Sequence, residues 1–278
     1  MTVLQILSYP FMLRALAAGL LIALLCGSLG VFLVLRRLSL IGDGLAHVSF
    51  GAVAAALLAG VSAGRLSLAA IPVVILAGVA IQRLVRTTRL HGDAAIGIVS
   101  AAGVAAGVIL SSVAGGSPMD VMSFLFGNIL SITNEELLFA ALLCLVAMGG
   151  IFFAYHPLFA TTFDEELART SGVRVNRVTT LLTIVTAITV VLAMRLVGVM
   201  LISALLIIPA STALTVACGF GATILLSILI AACSVTAGVI LSVMLNLPTG
   251  ATIIFVSLLL FILSIGYDSY RRSSIGGS

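Results

Sequence analysis

The sequence predicts an all-α protein, a polytopic transmembrane helical bundle with eight or nine spans. Of its 278 residues, 62% are hydrophobic and only 8% are charged, whereas soluble domains average about 25% charged residues. The apolar runs are continuous and reach the roughly 20 residues that a helix needs to cross a bilayer. They lack the alternation typical of membrane-barrel strands. We therefore expect one transmembrane domain over residues 1–270, followed by a disordered polar tail at 271–278.

Apolar runs of sufficient length define the candidate spans in order. They are 11–35, 41–62, 66–85, 94–114, 135–155, 178–196, 197–217, 221–245 and 249–267. The division between the sixth and seventh runs is the weakest, because only Arg195 and Gly198 separate them. These two runs are either two spans or one span followed by a broken or re-entrant piece around Pro209.

The basic residues, all of them Arg, set the expected orientation, because cytoplasmic loops of membrane proteins are enriched in positive charge. With the Arg36–Arg37 pair inside, ten Arg are cytoplasmic: Arg36, Arg37, Arg83, Arg86, Arg89, Arg169, Arg174, Arg177, Arg271 and Arg272. Only Arg14, Arg65 and Arg195 lie outside. The C-terminus is therefore expected in the cytoplasm, and a nine-span count places the N-terminus outside.

The absence of Lys excludes one class of function. The phosphate-binding loop G-x-x-x-x-G-K-[ST] requires its Lys, and the chain contains none. We therefore do not expect an enzyme, and any ATP-driven role requires a second polypeptide.

Asp43 and His47 are the candidate metal-binding residues. They lie four residues apart in an otherwise apolar run, so they share one face of the predicted second span. An ionisable residue within a span is costly and is a functional-site candidate by default. A carboxylate oxygen and an imidazole nitrogen suit a divalent cation such as Zn²⁺, Mn²⁺ or Fe²⁺. Gly44 and Gly51 border this face and allow another helix to approach closely.

A structural role for the same pair is the alternative. In that interpretation Asp43 caps its helix and His47 bonds to a neighbouring helix. Two ligands are also too few for a closed tetrahedral site. The missing ligands would be water, backbone carbonyl groups or the same pair from a second protomer.

The cytoplasmic segment 162–172 predicts a short surface helix. Thr162 and Glu165 fit a capping box, Glu165 and Arg169 form an i,i+4 pair, and Gly172 fits the position after the helix end. Chemistry alone leaves two interpretations open, a solvated loop helix and a helix that docks in a groove of a soluble partner.

Three sequence elements together resemble the membrane permeases of the ABC-type importers of divalent metals (zinc, manganese or iron), the ABC-3 group. The segment from Arg36 to Gly51 resembles the R-R-x-S-x-x-G-D-x-L-A-H signature. Val197–Ala210 is similar to V-G-x-x-L-[IV]-x-x-L-L-I-I-P-A, and Leu125–Leu130 to the external L-F-G-[DN]-x-L element. The resemblance covers nearly all of residues 11–266.

This resemblance implies a homodimeric permease of the ABC importer fold in the bacterial inner membrane. It implies two cytoplasmic ATP-binding subunits, an external metal-binding protein and a lipid environment, and no cofactor or nucleic acid. It places Asp43 and His47 on the metal path. It makes the segment at about 160–174 the helix that couples to the ATPase, through Asp164, Glu165, Glu166, Leu167, Ala168, Arg169 and Gly172. The 122–136 loop resembles the zinc branch more than the manganese branch, so zinc is the favoured ion.

Three other functions remain open from the sequence. A permease for a metal chelate such as a siderophore needs a wide cavity and no protein ligands. A carrier driven by an ion gradient needs no ATPase, but such carriers often show inverted repeats, and no convincing repeat is present. A membrane scaffold would leave the Asp43/His47 pair without a purpose.

Overall fold

The computed structural model describes residues 10–62, 65–88, 92–113 and 132–275. All regular structure within these ranges is helical, as predicted. The helices are α1 (Pro10–Leu35), α2 (Ile41–Leu58), α3 (Leu66–Thr87), α4 (Gly92–Val113), α5 (Asn134–Phe153), α6 (Tyr155–Phe163), α7 (Glu165–Thr170), α8 (Val175–Val197), α9 (Val199–Val216), α10 (Phe220–Leu245) and α11 (Thr249–Ile275). The external element 125–130 and most of the 122–136 loop lie outside the described residues.

Eight helices of the described ranges are long and apolar enough to cross a membrane, which confirms the predicted bundle. They are α1 to α5, α8, α10 and α11. Helix α9 has 18 residues, as many as α2, and spans about 27 Å at 1.5 Å per residue, while its continuous apolar stretch is Leu201–Val216. A hydrocarbon core of about 30 Å is slightly thicker than that length.

Helices α8 and α9 form a hairpin with its bend at Gly198. Gly198 has a φ of 86°, a value that favours glycine. Near the start of α8, Thr179 accepts a hydrogen bond from Arg36, and just after α9 the ring of Phe220 lies 5.3 Å from that of Phe32. Since Phe32 and Arg36 both lie at the C-terminal end of α1, the outer ends of the hairpin lie on the same side. The chain therefore turns back at Gly198 and not at Pro209, through which α9 continues.

Helices α2 and α4 pack backbone to backbone along a row of glycines. A Cβ added at Gly51 would lie 2.7 Å from the carbonyl oxygen of Gly103, and one added at Gly103 would lie 2.7 Å from Cα of Val48. At Gly107 an added Cβ would lie 2.4 Å from the ring of Phe50. The G-x-x-x-G spacing of Gly103 and Gly107 thus fixes the position of the helix that carries Asp43 and His47.

Aromatic rings connect the segment before α7 to two long helices. The ring centroid of Phe220 lies 5.0 Å from that of Phe159 and 5.6 Å from that of Phe163. Phe220 also contacts Phe32 of α1, which is fully buried. We call Phe32, Phe159, Phe163 and Phe220 the aromatic cluster.

Helix α11 extends beyond the predicted end of its span at residue 267. It continues to Ile275, so residues 271–275 are helical where the sequence predicts a disordered tail. No Gly or Pro occurs between Asp268 and Ile275, and Gly276 is the first residue that disfavours a helix.

Candidate metal site and coupling segment

Asp43 lies in the first turn of α2 without capping it. The N-cap position is Leu40, and α2 has no side-chain cap. The Asp43 carboxylate instead interacts with His47 one turn later, at 3.6 Å between Oδ2 and Nε2. The predicted juxtaposition of the two side chains on one helix face is therefore present.

Both side chains are only partly covered by this single chain. The side chain of His47 is 27% exposed and that of Asp43 is 42% exposed. The adjoining face of α2 is used by helix packing, since Gly44 packs on Ile96 and Gly51 on Gly103 of α4. The carboxylate and imidazole therefore lie beside the glycine contact and are still partly accessible to a ligand.

Ser203 of α9 joins the pair as a third polar group. Its hydroxyl donates a hydrogen bond to Oδ1 of Asp43 at 2.9 Å, while Oδ2 of the same carboxylate faces His47. Sequence reasoning missed this residue, because 160 positions separate it from Asp43. The one available signal is that Ser203 is the only side-chain hydroxyl between Val197 and Ala210.

Close helix contacts hold Ser203 at this position. Leu206, one turn after Ser203, occupies the space beside two glycines. A Cβ at Gly42 would lie 2.5 Å from Cδ1 of Leu206, and a Cβ at Gly30 would lie 2.1 Å from its carbonyl oxygen. Helix α9 is therefore wedged against α1 and α2, and Ser203 meets Asp43 as a consequence.

The described part of the chain contains no group of three or more His, Cys, Asp or Glu side chains suited to hold a metal ion. One chain thus offers one carboxylate, one imidazole and one hydroxyl at this place. That set is incomplete as a closed site, as the sequence indicates.

A cavity of about 430 Å³ lies between the turn that leads into α2 and the start of α7. Its lining includes Arg36, Gln82, Glu165 and Thr179. One terminal nitrogen of Arg36 donates to Thr179 at 2.9 Å, and the other is buried and has no hydrogen-bond partner among the described residues. Burial lowers the pKa of the Arg36 guanidinium, while the negative charge of Glu165 acts to raise it. The start of α7 and the turn before the site thus interact electrostatically.

The predicted cytoplasmic helix is present but differs in length and cap. Helix α7 has six residues, and its N-cap is Asp164, whose side chain accepts from the backbone N–H of Leu167 at 2.9 Å. The predicted capping box is wrong, because Thr162 belongs to α6 and bonds to the carbonyl of Leu158. Asp164 takes its place, since it has the extended backbone that an N-cap requires.

The remaining contacts of α7 agree with the sequence. Arg169 bonds to Glu165 at 3.2 Å, and Gly172 has a φ of 85°. The N–H of Gly172 bonds to the carbonyl of Arg169, and that of Val173 to the carbonyl of Ala168. These two bonds form the Schellman motif that ends a helix at a left-handed glycine. Ala168 is buried, whereas Leu167 is 63% exposed, so α7 presents an apolar side chain among charged ones.

Comparison with known proteins identifies the family. The profile of the ABC 3 transport family matches residues 8–268. The chain belongs to the ABC 3 transport family. It is 31% identical to the manganese transport system membrane protein MntC of Halalkalibacterium halodurans, over 95% of this chain and 89% of that protein. It is 32% identical to the manganese import system permease protein ScaB of Streptococcus parasanguinis, over 96% and 94%.

A solved structure agrees with these relatives. PsaBC from Streptococcus pneumoniae in complex with Fab matches with a TM-score of 0.84 and 30% identity, covering 93% of this chain and 92% of that chain. As an ABC 3 family member, the chain is the multi-pass membrane permease of a bacterial ABC transport system for metal. Such a system also includes an ATP-binding subunit and a substrate-binding protein. Neither relative is named for zinc, so the preference for zinc stays a prediction.

Proposed function

We propose that this permease moves a bare divalent transition-metal ion into the cytoplasm through a path that includes Asp43 and His47. The observation that carries this proposal is the 3.6 Å approach of a carboxylate to an imidazole in a transmembrane helix. An ionisable pair at such a place is energetically costly, so its presence points to a function. A metal chelate, by contrast, would need no such ligands.

Manganese is the ion that we propose first. The two relatives described above are named for manganese. The donor set does not exclude zinc or iron, because carboxylate and imidazole bind all three ions. Zinc is therefore the second candidate.

We propose that a second copy of the chain completes the site. Each chain supplies one carboxylate and one imidazole, and both remain partly exposed. Two copies related by a two-fold axis would bring two Asp43 and two His47 side chains to one ion. Cyclic dimers are the commonest oligomers, and their interfaces are self-complementary in this way.

We propose that α7 docks on the ATP-binding subunit and that each permease dimer binds two copies of that subunit. The support is the rigid form of α7, held between the Asp164 cap and the Gly172 Schellman turn, with Leu167 exposed at its surface. A movement of α7 reaches the turn before α2 through the charges of Glu165 and Arg36, which line the same cavity. ATP hydrolysis by the partner would then open and close the metal path.

The proposal is tested by uptake of radioactive Mn²⁺ in cells whose only permease for this metal is this chain. We expect Asp43→Ala and His47→Ala to reduce uptake at least tenfold, because each removes one of two ligands per chain. Asp93→Ala and His156→Ala are matched controls on exposed residues of α4 and α6 and should retain uptake.

Two outcomes would contradict the proposal. Full uptake in both site variants at normal membrane levels would favour a chelate permease. Uptake driven by a proton gradient in vesicles that contain this chain alone would favour a gradient-driven carrier.

A further inference from the structure

We infer that Ser203 is a specificity-determining residue of the Asp43/His47 site and that its hydroxyl biases the site toward Mn²⁺ over Zn²⁺. This inference rests on the proposed function and deepens it. It begins from the contact between α9 and α2 described above, in which the Ser203 hydroxyl lies 2.9 Å from Oδ1 of Asp43.

The hydrogen bond from Ser203 fixes the orientation of the Asp43 carboxylate. An Asp side chain that is 42% exposed has a broad terminal torsion and rotates readily. Ser203 holds Oδ1, so that Oδ2 is the oxygen that faces His47 at 3.6 Å. Without the hydroxyl, the carboxylate loses this orientation, and Asp43 and His47 no longer point to a single cation position.

The backbone gives Ser203 little freedom to move away. Five residues before it, the chain turns at Gly198 with φ at 86°. One turn after it, Leu206 is enclosed by Gly30 of α1 and Gly42 of α2. The hydroxyl is therefore placed by helix packing, and its position does not depend on a loop.

The hydroxyl also adds oxygen to the donor set. A Ser hydroxyl has one hydrogen to donate and two lone pairs that accept. Its hydrogen is used by Asp43, and the lone pairs remain for a cation.

The chemistry of this set favours Mn²⁺. Oxygen donors in octahedral geometry suit Mn²⁺, whereas thiolate and imidazole donors in tetrahedral geometry suit Zn²⁺. A chain with Asp43, Ser203 and His47 offers two kinds of oxygen donor and one nitrogen. Replacing the hydroxyl by a thiol would shift the metal preference of the site toward Zn²⁺.

The test measures uptake of ⁵⁴Mn²⁺ and ⁶⁵Zn²⁺ by the whole transporter in cells, as the ratio of the two rates relative to the unsubstituted chain. Because the ATP-binding subunit and the external binding protein are unchanged in all strains, their own selectivity cancels. We expect Ser203→Ala to lower the manganese-to-zinc ratio at least fivefold and Ser203→Cys to lower it further. Ser203→Thr keeps the hydroxyl and should stay within twofold of the unsubstituted ratio.

Ser49→Ala is the matched control. Ser49 is a buried hydroxyl of α2, two residues after His47, and it makes no hydrogen bond within the described part of the chain. It should leave the ratio unchanged, since it removes a hydroxyl from the helix that carries Asp43 and His47 without touching the carboxylate.

Three results would overturn the inference. The first is an unchanged manganese-to-zinc ratio in Ser203→Ala. The second is that the Mn²⁺ and Zn²⁺ uptake rates of Ser203→Thr fall as far as those of Ser203→Ala. The third is a ratio in Ser49→Ala that falls as far as in Ser203→Ala. Asp43→Ala measured in the same assay separates the two proposals. If it abolishes uptake of both ions while the Ser203 ratio is unchanged, only the inference about Ser203 fails. If it has no effect, the proposed function fails as well.

Discussion

Substitution of Gly103 by Ala tests whether the glycine contact between α2 and α4 sets the position of the metal site. The added Cβ would lie 2.7 Å from both Cα and N of Val48 and 2.9 Å from the carbonyl carbon of His47. These are backbone atoms, so no side-chain rotation relieves the clash. The two helices must separate, and His47 lies at the point where they are pushed apart.

The size of the effect follows from these distances. Ordinary van der Waals contact begins at 3.4 Å, so the shortfall from 2.7 Å is about 0.7 Å. Overpacking of this kind costs about 1–3 kcal/mol. The helix itself gains up to about 1 kcal/mol from replacement of Gly by Ala, and that gain masks part of the cost.

Gly97→Ala is a control that removes this ambiguity. Gly97 lies on the same helix, and nothing lies within 4 Å of a Cβ added there. Both variants share the gain in helix propensity, so the difference between them isolates the helix contact. We expect Gly103→Ala to unfold at a lower fraction of SDS in mixed micelles and to import Mn²⁺ more slowly than Gly97→Ala. Equal stability and equal uptake of the two variants would refute the argument.

Two further substitutions test the coupling helix and the hairpin. Asp164→Ala removes the acceptor of the Leu167 N–H and should destabilise α7 by about 1 kcal/mol. It should also weaken copurification of the ATP-binding subunit, while Asp164→Asn retains the cap and the binding; equal binding by both variants would contradict this. Gly198→Ala forces a Cβ onto φ 86° and ψ 163°, a region essentially restricted to Gly that costs about 1–3 kcal/mol. The same change at Gly221, which has open space around it, should be tolerated, and equal thermal inactivation of the two variants would show that the bend is not strained.

The sequence contains enough information to predict the bundle and the Asp43/His47 pair. Uninterrupted apolar runs predict spans because only their length matters. Residues four apart on a helix are adjacent whatever the tertiary structure is. The glycine spacing at Gly103 and Gly107 likewise indicates a close helix contact, although the partner helix is known only from the structure.

The parts that the sequence could not supply depend on contacts between distant segments. Ser203 meets Asp43 only because α9 folds back at Gly198 and is wedged beside Gly30 and Gly42. The cap of α7 was misplaced because Thr162 and Asp164 are both good cap residues two positions apart. The preceding helix continues through Phe163 and takes Thr162 into its last turn, which leaves Asp164 as the cap.

The aromatic cluster has a consequence for how motion spreads at one end of the bundle. Phe159 and Phe163 immediately precede α7, and their rings touch Phe220, which in turn touches Phe32. Stiff flat rings in contact transmit a push as a displacement, because they have few internal rotations to absorb it. A displacement of the short helix would therefore reach the first and tenth helices together through these ring contacts.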